Sequence, residues 1–518
     1  MKSRNKTEFG DFQTPEPLAN EICELLFRRG ERPAVVAEPT VGRGAFLLAA
    51  ANLFPEARLH GWDIKDAYVL EAKTAIDAAG ASSRTSLACR DFFACDWESE
   101  LAALSGGILI LGNLPWVTNS GVSAVNGSNL PVKENFLGLR GLAARTGKSN
   151  FDISEWMLIR LLRSLRGRPA TFAMLCKTAT ARKLLRYAWQ NDGRVAEAAL
   201  YRIDAAAHFD AAVDACLLFF RTGTAGPEEA DVYASLNSSQ PSSRIGLAGK
   251  ELVPDIRAYS GLRHLEGLSP FQWRSGVKHD CAAVMELRPT PDGGVEDTAG
   301  FPLDLERDYL FPLLKCSDLA NGRTAPKRLV LVTQRFVGDD TSPIAHAAPR
   351  TWRYLQGHAE RFLARKSSIY KGRVPFALFG IGEYAFAKWK VAVSGLHRSA
   401  RFQLIGPFGG KPVFFDDTCY YLPFERESDA QLVAEVLNSP ACQEFLACLL
   451  FGEAKRPITV ELLQRLGLTA IAEKAGFGSR WQKLQRTTYG SVGALPQMEL
   501  VMEEPAARGN KPRTQAGI

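Results

Sequence analysis

Gly107-Ile108-Leu109-Ile110-Leu111-Gly112-Asn113-Leu114-Pro115-Trp116 is the stretch that decides the fold. Its apolar run predicts a buried β-strand, and Gly112 predicts a turn at the end of that strand. Since ligands bind at the carboxyl ends of strands in open α/β sheets, the turn would lie at a binding edge. An amide, a main-chain carbonyl and an aromatic ring presented together can hold an exocyclic amino group and stack on the ring that carries it. A Pro-containing turn with Trp116 as core filler is the alternative.

A second strand candidate, residues 34–37, leads into Glu38, Gly42 and Gly44. Two glycines spaced by one residue let the main chain approach a ligand closely. A dinucleotide fingerprint would have a third glycine at position 47, where this chain has Leu47, and Glu38 would repel a pyrophosphate. Glu38 suits the ammonium group of an amino acid instead, because an opposite charge stabilises the carboxylate.

Two further strand ends carry carboxylates. Asp63, followed by Ile64, lies 19 residues beyond Gly44, which is close to the spacing of a carboxylate that accepts ribose hydroxyls. Asp91 and Phe92 end a third strand and can hold an adenine by a polar edge and an apolar face. A ribose, an adenine and an amino-acid zwitterion, with no phosphate, together indicate S-adenosylmethionine as the ligand.

In these motifs and their order the chain resembles the amino-methyltransferases of DNA, specifically the adenine-N6 branch with cofactor motifs first and target domain last. The resemblance covers roughly the first 220 residues. It implies catalytic roles for Asn113, Leu114, Pro115, Trp116 and Phe209. It implies cofactor contacts for Thr14, Pro15, Glu38, Gly42, Gly44, Asp63, Ile64, Asp91 and Phe92. Leu114 stands where the family usually has Pro, but its implied role uses the main-chain carbonyl, which every residue has.

The resemblance also implies a mechanism, direct methyl transfer to a base flipped out of the duplex and stacked on Trp116 and Phe209. The Asn113 side-chain oxygen and the Leu114 carbonyl would each accept one N–H of the target amino group. Asn113 favours adenine, because cytosine-N4 enzymes more often begin this tetrapeptide with Ser. Cytosine-N4 transfer, methylation of RNA or of a protein glutamine, and a non-catalytic DNA-binding protein stay open.

Strand-like and helix-like segments alternate through residues 1–225, which predicts an α/β fold with a doubly wound, mainly parallel, Rossmann-like methyltransferase sheet. Residues 226–248, rich in Gly, Ser and Pro, predict a linker. We expect a mixed α+β target recognition domain at 249–490 and a disordered tail at 491–518. Residues 118–148 are interpreted as a mobile flap over the target nucleotide, with a disordered insertion as the alternative. Ser149-Asn150-Phe151-Asp152 predicts the start of a helix over 153–165.

Basic residues interleaved with rings, Ser and Gly recur in three segments of the second domain. The densest segment, residues 361–373, has five basic residues and no acid, as expected of a phosphate-binding surface. A solvated helix face is the alternative. Asp416 and Asp417 lack a further acid and are interpreted as a structural turn, not a nuclease site. The residues predicted to bind DNA are Arg274, Lys278, Arg365, Lys366, Lys371, Arg373 and Lys390.

Composition is that of an intracellular enzyme. The chain has 518 residues, a formal net charge of +7 and ten scattered cysteines without a Cys-x-x-Cys pair, which indicates a reducing compartment. No signal sequence or membrane span is visible, and no His/Cys/Asp cluster has metal-ligand spacing. We therefore expect a cytoplasmic protein without a metal, with duplex DNA as partner. A cognate restriction endonuclease or defence-system subunit is a further partner that the sequence leaves open.

Overall fold

The computed structural model describes residues 12–117, 152–191, 194–452 and 456–489. The chain forms two units. The first comprises the chain up to His264 together with Gly395–Ser399 and Glu444–Leu462. The second comprises Leu265–Ser394, Ala400–Gln443 and the chain from Leu463. The chain therefore passes between the units five times, and the first passage lies at His264.

A ten-stranded sheet is the frame of the first unit. Its strands are β1 Val35–Glu38, β2 Arg58–Asp63, β3 Thr85–Cys89, β4 Ile108–Asn113, β5 Ala170–Lys177, β6 Ala196–Ile203, β7 Ala215–Arg221, β8 Glu229–Tyr233, β9 Ser243–Ala248 and β10 Glu251–Val253. They lie in the order β10-β9-β8-β6-β7-β5-β4-β1-β2-β3. Strands β1 to β5 are mutually parallel, and β7 runs antiparallel to both β5 and β6. The predicted doubly wound, mainly parallel sheet is confirmed.

Alternate residues of the central strands enter two separate cores, one on each face of the sheet. Val35 and Ile108 belong to one core, while Val36 and Leu109 belong to the other, as the period of two along a strand requires. Because both faces are covered, these strands consist of continuous apolar runs. The helices of this unit are α1 Glu16–Arg28, α2 Ala45–Leu53, α3 Asp66–Ala78, α4 Trp97–Ala102, α5 Ile153–Ser164, α6 Thr178–Gln190, α7 Ala205–Phe209 and α8 Ile256–Leu262.

Helix α5 begins where the sequence predicted a helix. The Asp152 Oδ1 accepts the Ser154 N–H at 3.2 Å, so the side chain caps one of the free donors of the first turn. The rest of the predicted start motif, the predicted flap at 118–148 and the predicted tail at 491–518 lie outside the described residues.

The predicted linker at 226–248 is wrong. Residues Glu229–Tyr233 and Ser243–Ala248 are strands β8 and β9, which pair with each other and continue the sheet beyond β6. The Ser- and Pro-rich stretch between them is the turn of a hairpin, with the Ser242 N–H bonded to the Val232 carbonyl at 2.7 Å. Short edge strands with a polar turn have the composition of a linker, which explains the error.

The second unit is mixed α+β, as predicted. It has a four-stranded sheet and a six-stranded sheet. The strands are β11 Arg274–Ser275, β12 Glu286–Pro289, β13 Val295–Glu296, β14 Pro302–Leu303, β15 Leu310–Leu314, β16 Arg328–Leu331, β17 Trp389–Ser394, β18 Gln403–Ile405, β19 Phe414–Phe415 and β20 Cys419–Phe424. The remaining helices, of which α15 and α16 extend across unit boundaries, are α9 Ala282–Met285, α10 Cys316–Ala320, α11 Ile344–Ala347, α12 Pro349–Gly357, α13 Ala359–Leu363, α14 Glu427–Leu437, α15 Pro440–Leu449, α16 Val460–Gln464, α17 Leu468–Lys474 and α18 Gly478–Tyr489.

Candidate active site

A cavity opens at the carboxyl edge of the first unit's sheet, where β1, β2 and β4 end. Its volume is about 940 Å³ when the space at its open mouth is counted. Nine of the residues predicted to bind the cofactor or act in catalysis line it: Thr14, Glu38, Gly42, Asp63, Ile64, Asp91, Phe92, Asn113 and Pro115. The topology thus brings residues from five separate parts of the sequence to one place.

Glu38, the last residue of β1, is a buried acid that faces this cavity. Its side chain is 3% exposed, and its Oε2 has no hydrogen-bond partner in the part of the chain that the structure describes. Burial raises the pKa of the Glu38 carboxyl well above its usual range; the Leu47 N–H opposes that rise and the Asp63 carboxylate adds to it. A cation placed against the free oxygen would offset the cost of ionising this group. The ammonium group of an amino acid meets that requirement.

Asp63 connects the glycine loop to the end of β2. Its Oδ2 accepts the Gly42 N–H at 2.9 Å, and its Oδ1 accepts the Lys65 N–H at 2.9 Å. An ionised carboxylate only accepts hydrogen bonds, and these two bonds fix its orientation where it lines the cavity. Gln13 binds the same loop by accepting the Arg43 N–H at 3.1 Å through its Oε1.

The two motif glycines have different roles. A Cβ on Gly42 would lie 2.7 Å from the Gln13 Oε1, which a flexible side chain can move, so the requirement for glycine comes mainly from φ +50°. Gly44 has φ +88°, and a Cβ there would lie 2.9 Å from the Cβ of Ala72 in α3. Gly44 does not line the cavity; it allows α2 and α3 to pack closely. Pro15, also a predicted cofactor contact, is the N-cap of α1 and likewise lies outside the cavity lining.

Asn113, the last residue of β4, is held by its amide nitrogen. The Nδ2 donates to the Phe12 carbonyl at 3.2 Å and to the Thr14 Oγ1 at 3.4 Å. The Oδ1 is buried and has no hydrogen-bond partner among the described residues. Thr40 fixes the adjacent backbone, because its Oγ1 donates to the Asn113 carbonyl at 3.2 Å. The arrangement presents one unused acceptor at a fixed position, which suits a ligand N–H.

The rings predicted to stack on a base are packed against each other. Trp116 and Phe209 are each 5% exposed, and their ring centroids lie 5.0 Å apart in an edge-on contact. Phe12 completes the group, 5.8 Å from Trp116 and 6.4 Å from Phe209. Leu114 is 1% exposed, so Pro115 is the residue of the tetrapeptide that lines the cavity beside Asn113.

The adenine-motif residues form another wall of the cavity. The exposed Asp91 is oriented by the Phe93 N–H, which it accepts at 2.9 Å through Oδ1. Phe92 packs 4.6 Å from Trp97, so one face of its ring is supported by the core. Other residues that line the cavity lie close to the predicted strand ends, where position alone could have indicated them, but were not predicted from the sequence: Thr40, Lys65, Tyr68, Arg90, Phe93 and Val117.

Several residues predicted to bind DNA are structural in the second unit. Lys390 is 1% exposed, its Nζ donates to the Ala385 carbonyl at 2.8 Å and the Val413 carbonyl at 2.7 Å, and burial lowers its pKa to about 7. The prediction for Lys390 is therefore wrong, because an amine enclosed in this way cannot reach a phosphate. Arg365 donates to the Ala377 carbonyl at 2.9 Å and lies 3.6 Å over the Tyr370 ring, which also corrects its assignment.

The other predicted DNA contacts divide into two groups. Lys278 is paired with Asp280 at 2.8 Å, and the Arg274 guanidinium lies 4.4 Å over the Tyr384 ring, so both have roles within the unit. By contrast Lys366, Lys371 and Arg373 are exposed, and no ion pair joins any of them to another described residue. These three keep the properties that a phosphate contact requires.

The sequence predicts neither a metal site nor a membrane span. Over the described ranges, the structure has no group of three or more His, Cys, Asp or Glu side chains arranged to hold a metal ion. No helix within those ranges is long and apolar enough to cross a membrane.

Comparison with known proteins gives relatives along almost the whole chain. No family model matches. The type II methyltransferase M.NspV of Nostoc sp. (strain ATCC 29411 / PCC 7524) is 41% identical over 474 residues, covering 91% of this chain and 98% of the relative. The type II methyltransferase M.XamI of Xanthomonas campestris pv. amaranthicola is 29% identical over 108 residues, or 21% of this chain and 20% of that relative.

One solved structure is similar across both units. It is the type IIL restriction-modification enzyme MmeI in complex with DNA, with a TM-score of 0.51 and 13% sequence identity. The match covers 94% of this chain and 80% of that one. At that identity the likeness concerns the fold alone.

Proposed function

Since this chain belongs to the type II DNA methyltransferases, we propose that it methylates the N6 amino group of an adenine within a specific sequence of duplex DNA. S-Adenosylmethionine is the methyl donor, and when bound it supplies an electrophilic methyl group on a sulfonium. The free Asn113 Oδ1 is the observation that carries the proposal, because it is a buried acceptor at the end of β4 with no partner among the described residues.

Different residues of the cavity would hold different parts of the donor. Glu38 would face the ammonium group, since its unpartnered oxygen is buried and burial raises the pKa of its carboxyl. Asp63 would accept the ribose hydroxyls, because the Gly42 and Lys65 N–H groups hold its carboxylate at the edge of the cavity. Ile64 and Phe92 give the apolar walls for an adenine ring, and Asp91 lies at its polar edge.

The transfer step depends on how Asn113 holds the target amino group. One N–H of the adenine amine would donate to the Asn113 Oδ1, and the other to the Leu114 carbonyl. As positive charge develops on the nitrogen during transfer, both hydrogen bonds become charge-assisted and stabilise the transition state more than the bound substrate. Thr14 and Phe12 contribute by fixing the amide plane of Asn113 before substrate arrives.

An adenine in a duplex cannot reach this cavity, so the mechanism requires the base to be flipped out. Stacking on Trp116 needs its contact with Phe12 or Phe209 to open, because these three rings fill the space beside one another. A base that replaces one ring contact would gain roughly 1–3 kcal/mol of stacking. We infer that the ring cluster rearranges when DNA binds.

Identification of the modified base tests the proposal. Purified enzyme is incubated with duplex DNA and S-adenosylmethionine bearing a labelled methyl group, and the digested nucleosides are separated by mass spectrometry. The expected product is N6-methyladenine. Label in N4-methylcytosine would replace adenine by cytosine as the target, and label in neither base would refute DNA amino methylation. Sequencing of the modified DNA gives the recognition sequence, and proteins recovered with the enzyme from its own host test for a nuclease partner.

A further inference from the structure

A second cleft, distinct from the cavity at β1, β2 and β4, opens at the same edge of the sheet in the first unit. Its volume is about 770 Å³, counting its open mouth. Three guanidinium groups line it, from Arg182, Arg202 and Arg398, against a single carboxylate, Asp214. The methyl-transfer mechanism uses none of these side chains.

The three arginines come from separate parts of the chain and are held from different directions. Arg182 lies one turn into α6, with its guanidinium 4.2 Å over the Phe451 ring. Arg202 is near the end of β6 and is exposed. Arg398, also exposed, is brought to this unit by the segment Gly395–Ser399, and a Cβ on Gly452 would lie 3.6 Å from its guanidinium carbon. The backbone at Gly452 thus packs against the Arg398 side chain, while Arg398 stays exposed to solvent.

The first turn of α6 adds to the positive potential of the cleft. Thr178 begins this 13-residue helix and lines the cleft, and its N-cap residue Lys177 contributes no side-chain capping bond. The Asp214 carbonyl accepts the Thr178 N–H at 3.0 Å, so this terminus favours an anion mainly through the helix dipole. Three arginines converging on it give the anion a second and stronger attraction.

The register of the sheet fixes the distance between this cleft and the catalytic turn. Asn113 lies opposite Leu175, Leu175 opposite Leu217, and Leu217 opposite Tyr201. Three strand spacings of about 4.8 Å separate Asn113 from Tyr201, or roughly 14 Å, and Arg202 is the next residue. Since successive base pairs rise by about 3.4 Å, this is the length of about four base steps along DNA.

We propose that this arginine cleft binds backbone phosphates of the DNA strand that flanks the target base. The proposal deepens the proposed function and rests on it, because the DNA must approach the edge of the sheet where Asn113 ends β4. Phosphate contacts fix the position of a strand without reading its sequence. The cleft therefore sets where the strand lies while the target nucleotide is outside the helix.

A double variant, Arg202→Ala with Arg398→Ala, tests the proposal in the full chain. Affinity for a duplex carrying the recognition sequence and for an unrelated duplex is measured by fluorescence anisotropy over a range of salt concentrations. The slope of log affinity against log salt should fall by about two, close to 0.9 for each phosphate that is no longer neutralised. Both duplexes should be affected alike, KM for DNA should rise, and the affinity for S-adenosylmethionine should not change.

Two further variants exclude trivial causes. Arg58→Ala removes one exposed charge at the first residue of β2, on the opposite edge of the sheet, and should leave the salt slope unchanged. Arg202→Lys with Arg398→Lys keeps both charges and should retain most of the slope. Circular dichroism checks that each variant is folded.

Distinct outcomes separate this inference from the proposed function. If the wild-type protein methylates DNA but the folded double alanine variant has the wild-type slope and KM, the cleft is not a phosphate site and the inference is wrong. A decrease of about half that size in Arg58→Ala would also refute it, because the loss of net charge, one charge against two, would then explain the effect. If the wild-type protein neither binds nor methylates DNA, the proposed function itself fails.

Discussion

In the proposed mechanism, turnover depends on Asn113. Replacing it by Ala removes the buried acceptor that would hold the target amine, so kcat should fall by roughly 10²–10³-fold, the decrease typical of removing one preorganised transition-state hydrogen bond. Affinity for S-adenosylmethionine should stay within a few-fold of the wild type, because other residues hold the donor. Tritium transfer and calorimetry measure the two effects. Wild-type turnover in a folded Asn113→Ala protein would contradict the mechanism.

Glu38 should make binding of the donor depend on pH. The raised pKa means that a proton must leave the carboxyl before it can face an ammonium group, so affinity should rise as pH increases through that pKa. Glu38→Gln has no proton to lose, so its affinity should be flat with pH in the same range. At high pH the variant should bind more weakly by roughly 1.5–3 kcal/mol, the value of a hydrogen bond to a charged group. Parallel slopes for the two proteins would assign the pH dependence to another group.

The same shift has a consequence for stability without the donor. A carboxyl whose folded pKa lies above its unfolded pKa contributes stability at low pH, and that contribution is lost as pH rises through the folded value. Glu38 is such a group, so S-adenosylmethionine should stabilise the protein most at the pH where Glu38 is ionised.

The α2–α3 contact depends on Gly44, whose role is packing. Gly44→Ala places a Cβ at φ +88° and 2.9 Å from the Ala72 Cβ, so the free energy of unfolding should fall by more than about 1 kcal/mol. Gly80→Ala is the matched control, because φ there is +71° and a Cβ would meet nothing within 4 Å. Chemical denaturation of both variants separates backbone strain from the clash. Equal decreases would show that the contact with Ala72 contributes nothing.

Elements with strong local signals were predictable from the sequence. The apolar runs of β1, β4 and β7 are buried on both faces, and the residues that follow parallel strands meet at one edge whatever the rest of the fold. That geometry is why Glu38, Asp63 and Asn113 could be placed in one site. Strands β8 and β9 were not predictable in this way. Their structure depends on pairing with neighbouring strands, and their own residues have the composition of a linker.

Lys390 shows where inference from local sequence stops. Its neighbours in the chain resemble those of exposed phosphate-binding lysines, yet its amine is enclosed by carbonyls of Ala385 and of Val413, 23 residues away. Contacts at that separation are set by the tertiary fold. The same holds for Gly44, which the motif predicted as a cofactor contact and which the fold instead places against Ala72, outside the cavity lining.

For the whole molecule, affinity for DNA should depend on the exposed part of the basic segment. A triple change of Lys366, Lys371 and Arg373 to Ala should weaken binding to specific and unrelated duplexes alike, and lower the salt slope by up to about three. Lys327→Ala with Lys474→Ala is the control, since both lysines are exposed in the same unit and lie outside the segment. An unchanged slope in the folded triple variant would identify the segment as an ordinary solvated surface.

The five passages of the chain between its two units constrain how this protein can be recombined. If the second unit reads the DNA sequence, grafting it from a relative would need more than one crossover, because Gly395–Ser399 and Glu444–Leu462 belong to the first unit. A chimera joined only at His264 would take Arg398 and Phe451 from the donor along with the second unit. New specificities should therefore arise by substitutions within the existing framework, or by exchanges in which these two short segments are inherited with the catalytic half.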